Sequence, residues 1–109
     1  MSLADKKCVP CEGDFPAMTL AQARDMLDVV PGWSLNDAGT EIARDYTFKD
    51  FAEALAFANK VGALAEEEGH HPDLHVAWGR VRITLSTHAV RGLSENDFIL
   101  AAKIGALGT

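Results

Sequence analysis

The sequence predicts an α+β fold of order αββαββα, with a four-stranded antiparallel sheet and helices packed on one face. Three observations lead there. Apolar residues recur at helical spacing in three stretches, near 19–30, 50–68 and 94–106. Two pairs of alternating, β-like runs lie between them, each pair joined by glycine-bearing turn chemistry. One pair precedes the long middle helix and the other follows it, which closes as a single sheet covered by helices.

Residues 1–18 read as an irregular leader, because Pro10, Gly13 and Pro16 interrupt it. Residues 19–109 read as one domain. Thr19 opens the first helix, and Thr19 with Gln22 forms a T-x-x-Q capping box. Leu20, Ala23, Met26, Leu27 and Val30 make its stripe, and Pro31-Gly32 ends it. Trp33 to Asn36 is a short strand, Asp37-Ala38-Gly39 a turn, and Thr40 to Phe48 a second strand. Ile42, Tyr46 and Phe48 share one side of that strand, and Arg44 breaks the apolar face.

Asp50 to Glu68 is the strongest helix. Phe51, Leu55, Ala58, Gly62 and Ala65 form one stripe, and Phe57, Val61 and Leu64 a second. Together they make a face wide enough for a sheet and a subunit contact, or for a deeply buried core helix. Leu74 to Trp78 and Val81 to Thr87 form the second hairpin through Gly79-Arg80, with His88 in phase with the polar side of its strand. The last helix runs from Ser94 to Ala106, with Ser94 as N-cap and Asp97 three residues on.

A chain of 109 residues, 48% hydrophobic and 24% charged, is an ordinary globular domain. Its net charge of −6 and lack of a Lys/Arg run argue against a nucleic-acid partner. Charges interrupt every apolar run before a membrane span is complete. Two lysines near the start have no apolar core behind them, so no secretory signal is expected and the cytoplasm is the expected location. No internal repeat, G-x-G-x-x-G or P-loop is present, so no nucleotide cofactor is implied. Cys8 and Cys11 form a C-x-x-C pair in the leader. A zinc site needs two further ligands, and a redox pair wants a helix that Gly13 and Pro16 disfavour. The pair reads as two reduced thiols, with completion by histidines or a second subunit left open.

All four histidines, His70, His71, His75 and His88, fall between Glu66 and Asp97. Imidazoles titrate near neutrality and suit proton transfer or metal binding. Pro72 stops a helix at the His70–His71 pair, so these two sit where a helix hands over to a strand. His88 ends the next β-like run. Three chemistries are open to such a group. A three-histidine metal site lacks ligand spacing, since Pro72 separates His71 from His75. Nucleophilic catalysis lacks an elbow around Ser86 or Ser94. General acid–base work fits His70, His71 and His88, with Glu66 and Asp97 as carboxylates to orient an imidazole or bind the ring nitrogens of a substrate. The residues alone also allow a solvated helix end at Glu66, plain capping at Asp97, a polar junction at His70–His71 and a strand-end loop at His88.

The spacing Glu66, three residues, His70-His71-Pro72, five residues, Trp78, nine residues, His88, eight residues, Asp97 resembles the signature of the pterin-4a-carbinolamine dehydratases. Gly32-Trp33, the FKDF of Phe48–Phe51, the ITLSTH ending at His88 and the GLSEND ending at Asp97 are similar to that family too, over residues 19 to 105. The resemblance implies dehydration of a 4a-hydroxytetrahydropterin to a quinonoid dihydropterin, in the recycling of the pterin used by aromatic hydroxylases. It is a hydro-lyase reaction with no redox change, so neither cofactor nor metal is expected. It implies catalytic roles for His70, His71 and His88, with His70 and His88 flanking the departing hydroxyl. Gly69, His70, His71, Ser86, Thr87, His88 and Ala89 would line the pterin, with Glu66 and Asp97 in support. It implies a homodimer or homotetramer. The family also includes dimerisation cofactors of a transcription factor, and a scaffold that keeps the motif but acts on another pterin, such as a molybdopterin-related one, is a further alternative. His75 and the Cys8–Cys11 pair lie outside what the resemblance explains.

Overall fold

The computed structural model describes residues 3–8 and 16–107. Cys11, half of the C-x-x-C pair, lies outside them. Helix α1 spans Leu20–Leu27, and its capping box is present: the Thr19 hydroxyl accepts from the Gln22 N–H at 3.1 Å, and the Gln22 side chain accepts from the Thr19 N–H at 2.9 Å. The helix ends three residues short of the expected Val30. Pro31 disfavours helical backbone at Val30, and the chain leaves through turns that bond Val29 to Met26 and Val30 to Leu27.

The strands are β1 (Ser34–Leu35), β2 (Ile42–Thr47), β3 (Asp73–Ala77) and β4 (Arg80–Leu85). They form one four-stranded antiparallel sheet, as expected, in the order β1-β2-β4-β3. Register sets Ile42, Arg44 and Tyr46 of β2 opposite Leu85, Ile83 and Val81 of β4. Their side chains share one face of the sheet. The apolar five are buried there, against α2 (Phe51–Glu68) and α3 (Glu95–Ala106). Helix α2 contributes Ala54, Phe57, Ala58 and Val61 to this core, and α3 contributes Phe98, Leu100, Ala101 and Ile104. Of the two stripes expected on α2, Phe51 and Leu55 face outward, 46% and 43% exposed. The inward arc is centred on Phe57 and Val61, and one sheet face cannot also reach round to Leu55.

Arg44 occupies an inward position without entering the core. Its guanidinium lies 4.4 Å above the Tyr46 ring and reaches the Pro31 carbonyl at 3.4 Å. A long aliphatic stem lets the charge escape while its methylenes cover the core edge. The predicted hairpin turn shifts by one residue: Ala77 pairs with Arg80, so Trp78-Gly79 forms the two-residue loop and Trp78 is 74% exposed.

The described part of the leader lies against α3. Leu3–Asp5 forms one 3-10 turn, and the Lys103 ammonium donates to the Ala4 carbonyl at 2.9 Å. Lys6 pairs with Glu95 at 3.2 Å. The Cys8 N–H donates to Glu68 at 3.0 Å, and the other Glu68 oxygen lies 3.7 Å from Lys103. The Glu68 side chain is only 3% exposed. The Cys8 N–H, seconded by the charges of Lys103 and Lys7, holds this carboxyl below the usual glutamate range although burial opposes it.

That depression fixes a pH dependence. The unfolded chain takes up this proton first, so the stabilisation is complete above the ordinary glutamate value of about 4.3 and is lost as pH falls through it towards the lowered native value. Urea unfolding of the wild type should weaken across that window more than unfolding of Glu68→Gln. Equal slopes for the two proteins would contradict the assignment.

Candidate active site

The first wall of the site is the junction of α2 and β3. Gly69 takes φ +68°, and the Gly69 and His70 N–H groups both reach the Ala65 carbonyl, at 2.9 and 3.3 Å. This left-handed C-terminal cap turns the chain off the helix axis. No atom lies within 4 Å of a Cβ added at Gly69, so the backbone angle rather than space favours glycine there. Pro72 then commits the chain to β3. The result separates the two histidines: the His70 side chain is 12% exposed and that of His71 is 60% exposed.

The second wall joins β4 to α3, and here the expected geometry needs correction. The strand ends at Leu85 and does not run on to His88. The Thr87 N–H donates to the Gly92 carbonyl at 2.7 Å, and the Gly92 N–H returns to the Thr87 carbonyl at 3.4 Å. This two-way pairing closes a loop whose tip is a 3-10 turn, His88–Val90, followed by Arg91 at φ +55°. Thr87 must fold back on Gly92 for the chain to enter α3 at Ser94, so no further β ladder can form.

Asp97 joins the walls. Its side chain is wholly buried. Oδ1 lies 2.6 Å from His70 Nε2, while Oδ2 accepts from the Thr87 hydroxyl at 2.7 Å and the Ser94 N–H at 3.0 Å. Thr87 and Ser94 hydroxyls are themselves 2.7 Å apart. One carboxylate thus caps α3 and also meets the His70 ring. A neutral His70 that donates Nε2–H to Asp97 presents an unprotonated Nδ1. Should Nδ1 take a proton, the buried carboxylate stabilises the imidazolium.

His88 is exposed and lines a groove of about 280 Å³ with Ser86, Thr87, Glu41 and Arg91. Thr87 is therefore a link: its backbone borders the groove while its hydroxyl is committed to Asp97 and Ser94. Ala89 is exposed on the same turn. His71 pairs with Glu66 at the surface, apart from the Asp97 network. His75 stands exposed on the edge strand β3, opposite Arg82. Among the described residues, no three His, Cys, Asp or Glu side chains converge as a metal cage. The sequence reading missed Arg91 in the groove and the second role of Ser94. Nothing local marks Arg91, and its left-handed backbone is visible only in the folded loop.

Asp97→Ala removes the shared acceptor of the Thr87 hydroxyl, the Ser94 N–H and the His70 ring, and should lower unfolding free energy by at least about 2 kcal/mol. Glu66→Ala removes only an exposed pair and should change it by less than about 0.5 kcal/mol. Denaturant titration of both variants checks the contrast, and similar losses would refute it.

Comparison with known proteins places this architecture. The family model for pterin 4 alpha carbinolamine dehydratase matches residues 16–107. A Methylococcus capsulatus protein named "Putative pterin-4-alpha-carbinolamine dehydratase" is 50% identical over 106 residues, covering 97% of this chain and 93% of the relative. A crystal structure from Brucella melitensis, described as a transcriptional coactivator/pterin dehydratase, superposes with a TM-score of 0.78 at 33% identity, over 85% of this chain and 99% of that one. A pterin dehydratase-like protein described as a RuBisCO assembly factor in the alpha-carboxysome gives a TM-score of 0.59 at 27% identity, over 70% and 88%. The match along residues 16–107, together with the shared helices and antiparallel sheet, shows that this chain belongs to the pterin 4 alpha carbinolamine dehydratase family of hydro-lyases.

Proposed function

We propose that the protein dehydrates a 4a-hydroxytetrahydropterin to the quinonoid dihydropterin by histidine acid–base catalysis, in tetrahydropterin recycling. The observation that carries this reading is Asp97, which is bonded at once to His70 and to Thr87, the neighbour of His88. The arrangement gives one oriented imidazole and one solvent-facing imidazole on segments tied to the same carboxylate.

The reaction removes one water. A ring nitrogen beside the 4a carbon loses its proton, its electron pair forms the C=N bond, and the C–O bond at 4a breaks. In this reading His70 Nδ1 takes the nitrogen proton, since Asp97 holds its other nitrogen. A protonated His88 gives its proton to the departing hydroxyl, which leaves as water. Solvent then restores both imidazoles. His71, steadied by Glu66, is the third imidazole at the rim. Gly69, the Ser86–Thr87 backbone and Ala89 would border the flat ring. No electron is transferred, so the chemistry calls for no redox cofactor.

A second reading keeps the scaffold and drops the turnover, as a dimerisation or regulatory partner. The outward Phe51 and Leu55 of α2, with Leu74 and Trp78 on the sheet side, favour association of either kind. A third keeps the chemistry for another pterin, such as a molybdopterin-related one. Turnover of chemically prepared 4a-hydroxytetrahydropterin by the purified protein separates these readings. No acceleration over the spontaneous reaction would overturn the first.

His70→Ala and His88→Ala should each lower kcat by about 10²–10⁴-fold. The double variant should lose little beyond the worse single variant, because a coupled acid and base act as one unit. His75→Ala should matter less than either. Damage from His75→Ala equal to that from His88→Ala, with His70→Ala near wild type, would sink the assignment. For association, light scattering at micromolar concentration should give a dimer or tetramer, and Leu55→Asp should shift it towards smaller species. A wild-type monomer would remove the association claim.

A further inference from the structure

The N-terminal segment touches the site's supports on both sides. Glu68 is the last residue of α2, two residues before His70, and its buried carboxylate accepts the Cys8 N–H. Asn96 is 3% exposed and immediately precedes Asp97, and its carbonyl lies 3.6 Å from Cys8 Sγ. One residue of the segment thus meets the chain just before the imidazole and just before the carboxylate that holds it. Lys103, from the last turn of α3, completes the arrangement by approaching Glu68 and bonding the Ala4 carbonyl. The three contacts made by Ala4 and Cys8 join residues 60 to 99 positions apart, and none belongs to the His70–Asp97 pair itself.

We propose that Glu68 is a positioning residue for His70, and that residues 3–8, through the Cys8 N–H and the Lys103–Ala4 bond, clamp the end of α2 to α3. A buried carboxylate cannot rotate away from its donors without leaving a charge unpaired. Fixing Glu68 therefore fixes the start of the Gly69 cap, which aims the His70 ring at Asp97. Gly69 needs such support: a glycine at a helix end is free to take many backbone angles. Loss of the clamp lets the ring depart from the short bond to Asp97, so the imidazole loses its fixed tautomer and direction.

The inference rests on the dehydratase reading only for its kinetic arm, and the test therefore has two. The first is the imidazole N–H resonance of His70 in proton NMR of the full chain without substrate, assigned by its absence from His70→Gln. The second is the kcat–KM split for the pterin carbinolamine. Glu68→Ala should broaden or shift that resonance and lower kcat by about 10–100-fold, as a misplacement near 1 Å does, with KM changed far less. Glu68→Gln, which keeps an acceptor for the Cys8 N–H, should restore the resonance and most of kcat. Lys103→Met should move both readouts in the direction of Glu68→Ala and carries the test if that variant does not fold. A folded Glu68→Ala with the wild-type resonance and kcat, or a folded Lys103→Met with both unchanged, would overturn the clamp. A wild type that leaves the carbinolamine intact while Glu68→Ala still loses the resonance would instead overturn the dehydratase reading and keep the clamp.

Discussion

A wholly buried carboxylate is the constraint from which the rest of this site follows. Asp97 sits in the first turn of α3 with no access to water. A charge in that position is costly unless each oxygen finds donors. One donor comes from its own helix entry, through Ser94 N–H; one from the end of the β4 segment, through Thr87; and one from the α2–β3 junction, through His70. The helix N-terminus adds its own positive partial charge. Three chain segments therefore have to meet correctly for one group to be satisfied. The same requirement that protects the fold thereby places an imidazole with a defined free nitrogen.

The contrast among the histidines follows from the two turns that deliver them. The left-handed cap at Gly69 turns His70 inward and leaves His71 facing water beside Glu66. The Thr87–Gly92 pairing lifts His88 onto a turn above a groove, and β3 leaves His75 on an open sheet edge. Chemically equivalent side chains thus acquire separate environments: one held by a buried carboxylate, the others exposed to solvent. Acid–base chemistry needs that inequality, because two identically placed imidazoles would have no reason to divide the roles.

Much of the fold could be read from the chain because local physics dictates it. The Thr19–Gln22 box, the alternation of Val81, Ile83 and Leu85, and the break at Pro72 each act within a few residues. Part of the site was legible for the same reason: the Ser94–Asp97 spacing announced a cap, and the histidine spacing carried the family resemblance. What failed depended on distant partners. The β-like run to His88 continues in sequence, yet Gly92 takes the backbone bonds that would have extended it. The α2 stripes did imply more apolar face than one sheet covers, but only the packed sheet selects Phe57 and Val61 and leaves Leu55 outside. Glu68 looked like one acid in a run of three, and only contacts with Cys8 and Lys103 distinguish it from its neighbours.

Glu68 and Asp97 are the two acids at which α2 and α3 exchange support, and their burial has a common logic. Each is nearly or wholly removed from water, and each is satisfied by a backbone N–H together with the side chain of a residue remote in sequence. Exposed pairs such as Glu66–His71 or Arg82–Asp45 can open at little cost, since water replaces the partner. Buried pairs open only at greater cost, because water does not replace the lost partner. In a chain of this size the apolar core alone leaves the helix ends loosely determined, because every helix end carries backbone groups without intrahelical partners. Placing charged acceptors at the end of α2 and the start of α3 reduces that looseness at the two helix ends beside His70.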